Sequence, residues 1–175
     1  MAIIVSDQRV YWQAHQSTST VRPQNTMSAF YYAWNLGGIP EADIRTTKDG
    51  VIICFHDDTP ARTTDVEDER KDLPVSSFTF EEVKKWDAGI KFGNEYRGER
   101  VPSLEKVFIA LRQDRDRLLY LDLKELDLKE LGKLIDKYEV NRQIIFNHKN
   151  EDNCRKMKDI VGNIRTMLWI GGREE

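Results

Sequence analysis

The sequence predicts an α/β fold in which parallel strands alternate with helices. Short apolar runs alternate with stretches of helical periodicity along the chain, a pattern typical of parallel strands joined by right-handed crossovers. Six runs are predicted to be strands, at residues 10–14, 38–45, 51–55, 118–123, 143–146 and 165–170. A doubly wound sheet and a (β/α)₈ barrel both fit this order. Because a full barrel usually needs about 250 residues, a chain of 175 residues is predicted to fall two strands short of closure.

Helix signals separate these strands. Asn25 or Thr26 is a candidate N-cap for a helix that ends at Gly37 and Gly38. Thr79 and Glu82 have the spacing of a capping box. Further helices are predicted from Pro102 to Leu111, at residues 126–138 and at residues 151–161. Residues 57–100 are polar and rich in turn residues, so they are predicted to form an insertion within one domain that spans residues 1–175.

Composition narrows the functional class. Hydrophobic residues make up 39% and charged residues 33% of the chain, with a net charge of -3, which argues against a nucleic-acid surface. The two cysteines, Cys54 and Cys154, suggest no disulfide framework, so a reducing compartment is the simpler interpretation. We expect no membrane span, and the lack of a visible signal peptide favours a cytoplasmic location.

Two carboxylates end the second predicted strand. Glu41 and Asp43 are two residues apart and therefore point to the same face of a strand. Adjacent carboxylates repel each other unless a cation lies between them, and an oxygen-rich pair suits Mg²⁺ or Ca²⁺. A solvated strand end is the alternative interpretation of this pair.

Other polar residues follow the ends of neighbouring strands, where parallel α/β folds hold their active sites. His15 and His56 are placed for proton transfer near neutral pH. Asp122 could complete a three-carboxylate metal site, and Lys124, on the same face, could contact a phosphate oxygen. The alternatives are hydrogen-bonded loop histidines and a salt-bridged strand end. His148 is treated as a loop residue. Together these groups suit phosphoryl chemistry with one divalent cation.

Several motifs resemble those of the glycerophosphodiester phosphodiesterase family, in the family's order, over nearly the whole chain. The matching stretches are Ala14-His15-Gln16-Ser17, Pro23-Gln24-Asn25-Thr26, Glu41-Ala42-Asp43, Thr47-Lys48-Asp49-Gly50, His56-Asp57, Arg62-Thr63-Thr64 and Val101-Pro102-Ser103-Leu104-Glu105. The family insertion resembles residues 80–89.

The resemblance implies a (β/α)₈ barrel that hydrolyses glycerophosphodiesters to glycerol 3-phosphate and an alcohol with Mg²⁺ or Ca²⁺. It assigns the acid/base pair to His15 and His56, and a phosphate contact to Lys124. It assigns the metal ligands to Glu41, Asp43 and Asp122, the last in place of the usual glutamate.

Two departures affect substrate binding. Gln16 stands where the family has a phosphate-binding arginine, and it is the substrate-binding residue predicted at that position. Gln24 stands where the family has a glutamate, so the two lost charges are hypothesised to have been coupled. A weakened binding or regulatory protein and a sphingomyelinase D-like phospholipase therefore remain alternatives. A third alternative is a fragment completed by a homo-oligomer or by a missing carboxyl-terminal segment.

Overall fold

The computed structural model describes residues 11–170, without the side chain of residue 125. The strands are β1 (Gln13–Ala14), β2 (Ile39–Thr46), β3 (Ile52–Cys54), β4 (Leu119–Glu125), β5 (Ile144–His148) and β6 (Arg165–Leu168). The helices are α1 (Met27–Asn35), α2 (Phe80–Val83), α3 (Leu104–Leu111), α4 (Leu128–Tyr138) and α5 (Glu151–Ile160). All six predicted strands are therefore present, although residue 10 of the first one lies outside the described residues.

Five strands form one parallel sheet in the order β1-β2-β4-β5-β6. This sheet curls into a half-barrel, which confirms the predicted α/β barrel class. The parallel arrangement predicted for the third strand is wrong, because β3 pairs antiparallel with β2. The reason is the short connection at residues 47–51, a tight turn with Gly50 at φ 84°. Parallel pairing would require a crossover of a dozen or more residues.

Helix starts follow local hydrogen bonding. Thr26, and not Asn25, caps α1 by accepting the backbone N–H of Ala29. The capping box of α2 is confirmed, with the backbone N–H of Thr79 donating to the Glu82 carboxylate at 2.9 Å. The helix predicted from residue 126 begins two residues later, because Asp127 accepts the backbone N–H of Lys129 and thereby caps it.

The main hydrophobic core lies where the helices pack on the sheet. Its largest fully buried side chains include Phe30, Ile44, Phe108, Leu121 and Phe146. Apolar burial of this kind is the dominant stabilising contribution in a domain.

A second, smaller hydrophobic core lies within the segment predicted to be an insertion, residues 57–100, and beside it. Phe78 packs edge-on against Trp86, with ring centroids 4.9 Å apart. Ile53 and Phe55 belong to the same cluster and connect it to the sheet. Cys54 and Cys154 are both buried free thiols. Within residues 11–170, no helix combines the length and the apolar character needed to traverse a lipid bilayer.

Candidate active site

Three carboxylates meet at one point of the parallel sheet. Glu41 and Asp43 come from β2 and Asp122 comes from β4, and one oxygen of each lies within 4.8 Å of the others. Glu41 is 5% exposed and Asp43 is 1% exposed. The sheet register explains the meeting, because Asp43 lies directly beside Asp122 on the neighbouring strand. The predicted clustering of these three side chains is therefore present.

Lys124 balances part of this negative charge. Its ammonium lies 2.6 Å from one oxygen of Asp122 and 3.1 Å from one oxygen of Asp43. Burial opposes the charged ammonium, but the hydrogen bond to Asp122 and the charge of Asp43 outweigh it and raise the pKa of Lys124. The shared strand face predicted for Asp122 and Lys124 is also present.

Glu41 has the least compensated carboxylate of the cluster. Burial raises its pKa, and the charges of Asp43 and Asp122 add to this effect. The backbone N–H of Gln16 donates to Glu41 at 2.7 Å and works in the opposite direction. Two buried carboxylates and one partly buried carboxylate with excess negative charge offer the oxygen donors that a hard divalent cation prefers. The residues therefore fit Mg²⁺ or Ca²⁺.

Asn25 holds Asp43 in place through two hydrogen bonds. Its amide nitrogen donates to the second carboxylate oxygen at 2.7 Å, and its amide oxygen accepts the backbone N–H of Asp43 at 3.0 Å. Asn25 is buried and has a φ of 55°, in the left-handed region that asparagine tolerates better than most residues. The sequence placed Asn25 at a candidate helix cap and within a family motif, and neither observation predicted this contact with Asp43.

His15 and Gln16 lie in a single 3₁₀ turn, His15–Ser17, directly after β1. The His15 imidazole is exposed and lies 3.8 Å from the Glu41 carboxylate. Gln16 lines a separate cavity of about 200 Å³, together with Gln24 and Arg62. The substrate contact predicted for Gln16 therefore stays a prediction, as does its coupling to Gln24.

His56 follows β3 and is held by its neighbours. The backbone N–H of Phe55 donates to the carbonyl of Asp43 at 2.7 Å, which places the end of β3 beside the acidic strand. The His56 Nδ1 lies 2.7 Å from Asp57, and Arg62 donates to both oxygens of Asp57 at 2.6 and 2.8 Å. This chain of contacts orients the His56 imidazole.

Removing Arg62 should destabilise the fold in a pH-dependent way. Burial raises the pKa of Asp57, but hydrogen bonds from Arg62 and His56 outweigh it and hold that pKa below its ordinary value. A carboxyl group whose pKa is lowered in the folded state stabilises the fold at any pH above its unfolded-state pKa. This contribution is lost as the pH falls through the folded-state pKa. We expect Arg62→Gln to lower the free energy of unfolding by up to about 1 kcal/mol at neutral pH.

Urea unfolding from pH 7 towards pH 3.5 measures this effect. The difference in the free energy of unfolding between wild type and Arg62→Gln should become smaller once the pH falls below about 4, the ordinary pKa of aspartate. A gap that keeps the same size over the whole range would contradict the assigned role of Asp57.

The acidic cluster opens into a cavity of about 800 Å³, a volume suited to a small-molecule ligand. Its lining includes His15, Glu41, Asp122 and Lys124, and also Arg45 and Asn147. Sequence reasoning missed the last two. Arg45 follows Glu41 and Asp43 at the same two-residue spacing, so that rule could have identified it. Asn147 was missed because its strand was predicted to end at Phe146.

The fold and the site together define a half-barrel α/β protein with a candidate divalent-cation centre. Comparison with known proteins identifies the family. Residues 15–175 match the model of the Glycerophosphoryl diester phosphodiesterase family, and the chain belongs to that family. A glycerophosphodiester phosphodiesterase from Caldanaerobacter subterraneus subsp. tengcongensis is 38% identical over 163 residues, which cover 89% of this chain and 64% of the relative.

Two solved structures share the fold. The glycerophosphodiester phosphodiesterase from Agrobacterium tumefaciens superposes with a TM-score of 0.78 at 26% identity, covering 90% of this chain and 65% of that one. An Oleispira antarctica phosphodiesterase, in complex with the product sn-glycerol-3-phosphate, gives 0.74 at 25% identity, covering 90% of this chain and 64% of that one. The chain thus spans a little under two thirds of the length of these relatives.

Proposed function

We propose that this chain hydrolyses glycerophosphodiesters to glycerol 3-phosphate and an alcohol, in a reaction that depends on a divalent cation. The observation that carries the proposal is the meeting of Glu41, Asp43 and Asp122, of which Glu41 and Asp122 line one cavity. Family membership supports it, as does the product bound to the Oleispira antarctica relative.

Glu41, Asp43 and Asp122 would hold the cation, which when bound would neutralise charge on the phosphate oxygens. Lys124 reaches the same cavity and would contribute a positive charge to the phosphate. Asn25 keeps Asp43 in place through two hydrogen bonds. Carboxylates that are already oriented need little rearrangement before they bind a ligand.

His15 and His56 would act as the general acid and the general base of the reaction. One imidazole takes the proton of the attacking water, and the other gives a proton to the oxygen of the departing alcohol. His15 lines the cavity and lies beside Glu41. The contact between the Nδ1 atom of His56 and Asp57 fixes the orientation of the His56 ring. The assignment of acid and base depends on how the substrate lies, so the proposal covers the pair.

A weakened family member that binds phosphodiesters without hydrolysing them is the second candidate. The neutral Gln16, which lines a different cavity from Glu41 and Asp122, favours it. The loss of one charged hydrogen bond to the phosphate costs about 1.5–3 kcal/mol. That loss slows an enzyme but leaves its proton-transfer groups intact, so we favour hydrolysis.

Hydrolysis of glycerophosphocholine tests the proposal. The wild-type chain should release glycerol 3-phosphate with added Mg²⁺ or Ca²⁺ and stop when a chelator is present. His15→Ala should lower the rate about a hundredfold or more, the usual contribution of a general acid or base. Because His15 is exposed, the variant should melt within a few degrees of wild type. No metal-dependent product from the folded wild-type chain would favour either the binding protein or the fragment that another chain or segment completes. A light-scattering mass would then separate those two.

A further inference from the structure

Asn147 lies on the strand next to Asp122 and continues the row of polar side chains that Asp43 and Asp122 begin. The register places Asp122 beside Asp43 and Asn147 beside Asp122, on three adjacent strands. The Asn147 side chain is buried, and its amide nitrogen donates to the Asp122 carboxylate at 3.2 Å. A carboxylate can only accept, so this contact requires the NH₂ group to face Asp122. The amide oxygen of Asn147 must therefore point elsewhere.

That amide oxygen has no hydrogen-bond partner among the described residues. Burying an acceptor without a partner is unfavourable, and each such group in a folded protein calls for an explanation. The described part of the chain has four buried side-chain polar atoms in this situation, on Arg22, Thr63, Gln143 and Asn147. Of these four residues, only Asn147 lines the cavity of the acidic cluster.

We propose that Asn147 supplies a fourth protein oxygen to the divalent cation held by Glu41, Asp43 and Asp122. Its amide oxygen binds the cation, and its NH₂ group holds Asp122 in position. Both Mg²⁺ and Ca²⁺ take oxygen ligands, and asparagine carbonyl oxygens are among those that Ca²⁺ accepts. The inference rests on the proposed function, because it requires the cation site to exist.

Calorimetric titration of the full chain with MgCl₂, and separately with CaCl₂, tests this inference. Asn147→Ala removes both the oxygen and the NH₂ group, and Asn147→Asp keeps an oxygen but loses the donor. Asn141→Ala is the matched control, because Asn141 lies just before the opposite end of β5 and donates to the carbonyl of Gly162.

We expect Asn147→Ala to weaken cation binding at least about tenfold, as changes around metal ligands commonly do. Asn147→Asp should bind the cation as tightly as wild type or more tightly, because an added carboxylate makes the site more negative. Asn141→Ala should match wild type. If Asn147→Ala does not fold, the comparison of Asn147→Asp with wild type decides alone.

Two results would overturn the inference while leaving the proposed function intact. Unchanged affinity in Asn147→Ala would show that the amide does not act on the cation. Weakened binding in Asn147→Asp would assign the residue a role in holding Asp122 through its NH₂ group alone. A wild-type chain that binds neither cation would instead reject the metal-dependent function, and this inference with it.

Discussion

Replacing Asp43 with asparagine is expected to abolish metal-dependent hydrolysis, with a loss of at least about a hundredfold. Changes to residues that merely support metal ligands cost 10- to 100-fold, and Asp43 lies at the centre of the cluster. It is 1% exposed and lies directly beside Asp122 on the neighbouring strand. Asparagine keeps an oxygen that can accept from Asn25, so the fold should persist.

The measurement is the rate of glycerol 3-phosphate release together with calorimetric cation binding, both for Asp43→Asn. The matched control is Asp159→Asn, an exposed aspartate on α5, which should behave as wild type. If the activity of Asp43→Asn were within threefold of wild type at the same cation concentration, Asp43 would not be a ligand of the cation.

Asn25→Ala is expected to have the largest effect on stability, lowering the free energy of unfolding by about 3 kcal/mol. Two contributions add. Alanine in the left-handed region costs roughly 1–2 kcal/mol, and the φ at this position is 55°. The lost hydrogen bond to a buried carboxylate costs about 1.5–3 kcal/mol, and the Asn25 amide makes that bond to Asp43.

Asn25→Gly separates the two contributions, because glycine adopts positive φ at no steric cost. It should recover about 1 kcal/mol relative to Asn25→Ala and still fall below wild type, when both variants are measured by urea unfolding. If Asn25→Gly were as stable as wild type, the hydrogen bonds to Asp43 would contribute nothing to folding. If the glycine and alanine variants were equal, the backbone argument would be wrong.

Local patterns were enough to predict most of the fold. Strand and helix positions follow from apolar periodicity, and the Thr79 and Glu82 spacing identified a capping box that forms. The direction of β3 was missed because periodicity records burial and not pairing direction. The turn residues at 47–51 contained the correcting signal, since a connection that short permits only antiparallel pairing with β2.

The site could be predicted in part for a similar reason. The two-residue spacing on strands placed Glu41 beside Asp43 and Asp122 beside Lys124, and the structure brings all four together. Asn25 and Asn147 contact this cluster from elements distant in sequence, so their contacts depend on chain crossing and strand register. Neither can be read from local pattern alone.

Anomalous diffraction from crystals soaked in MnCl₂ tests the central claim most directly, because it locates a bound divalent cation without relying on activity. We expect one strong peak at about 2.0–2.6 Å from oxygens of Glu41, Asp43 and Asp122. The absence of any peak at the cluster, with the Lys124 ammonium still bridging Asp43 and Asp122 as in the present structure, would contradict the proposed cation site.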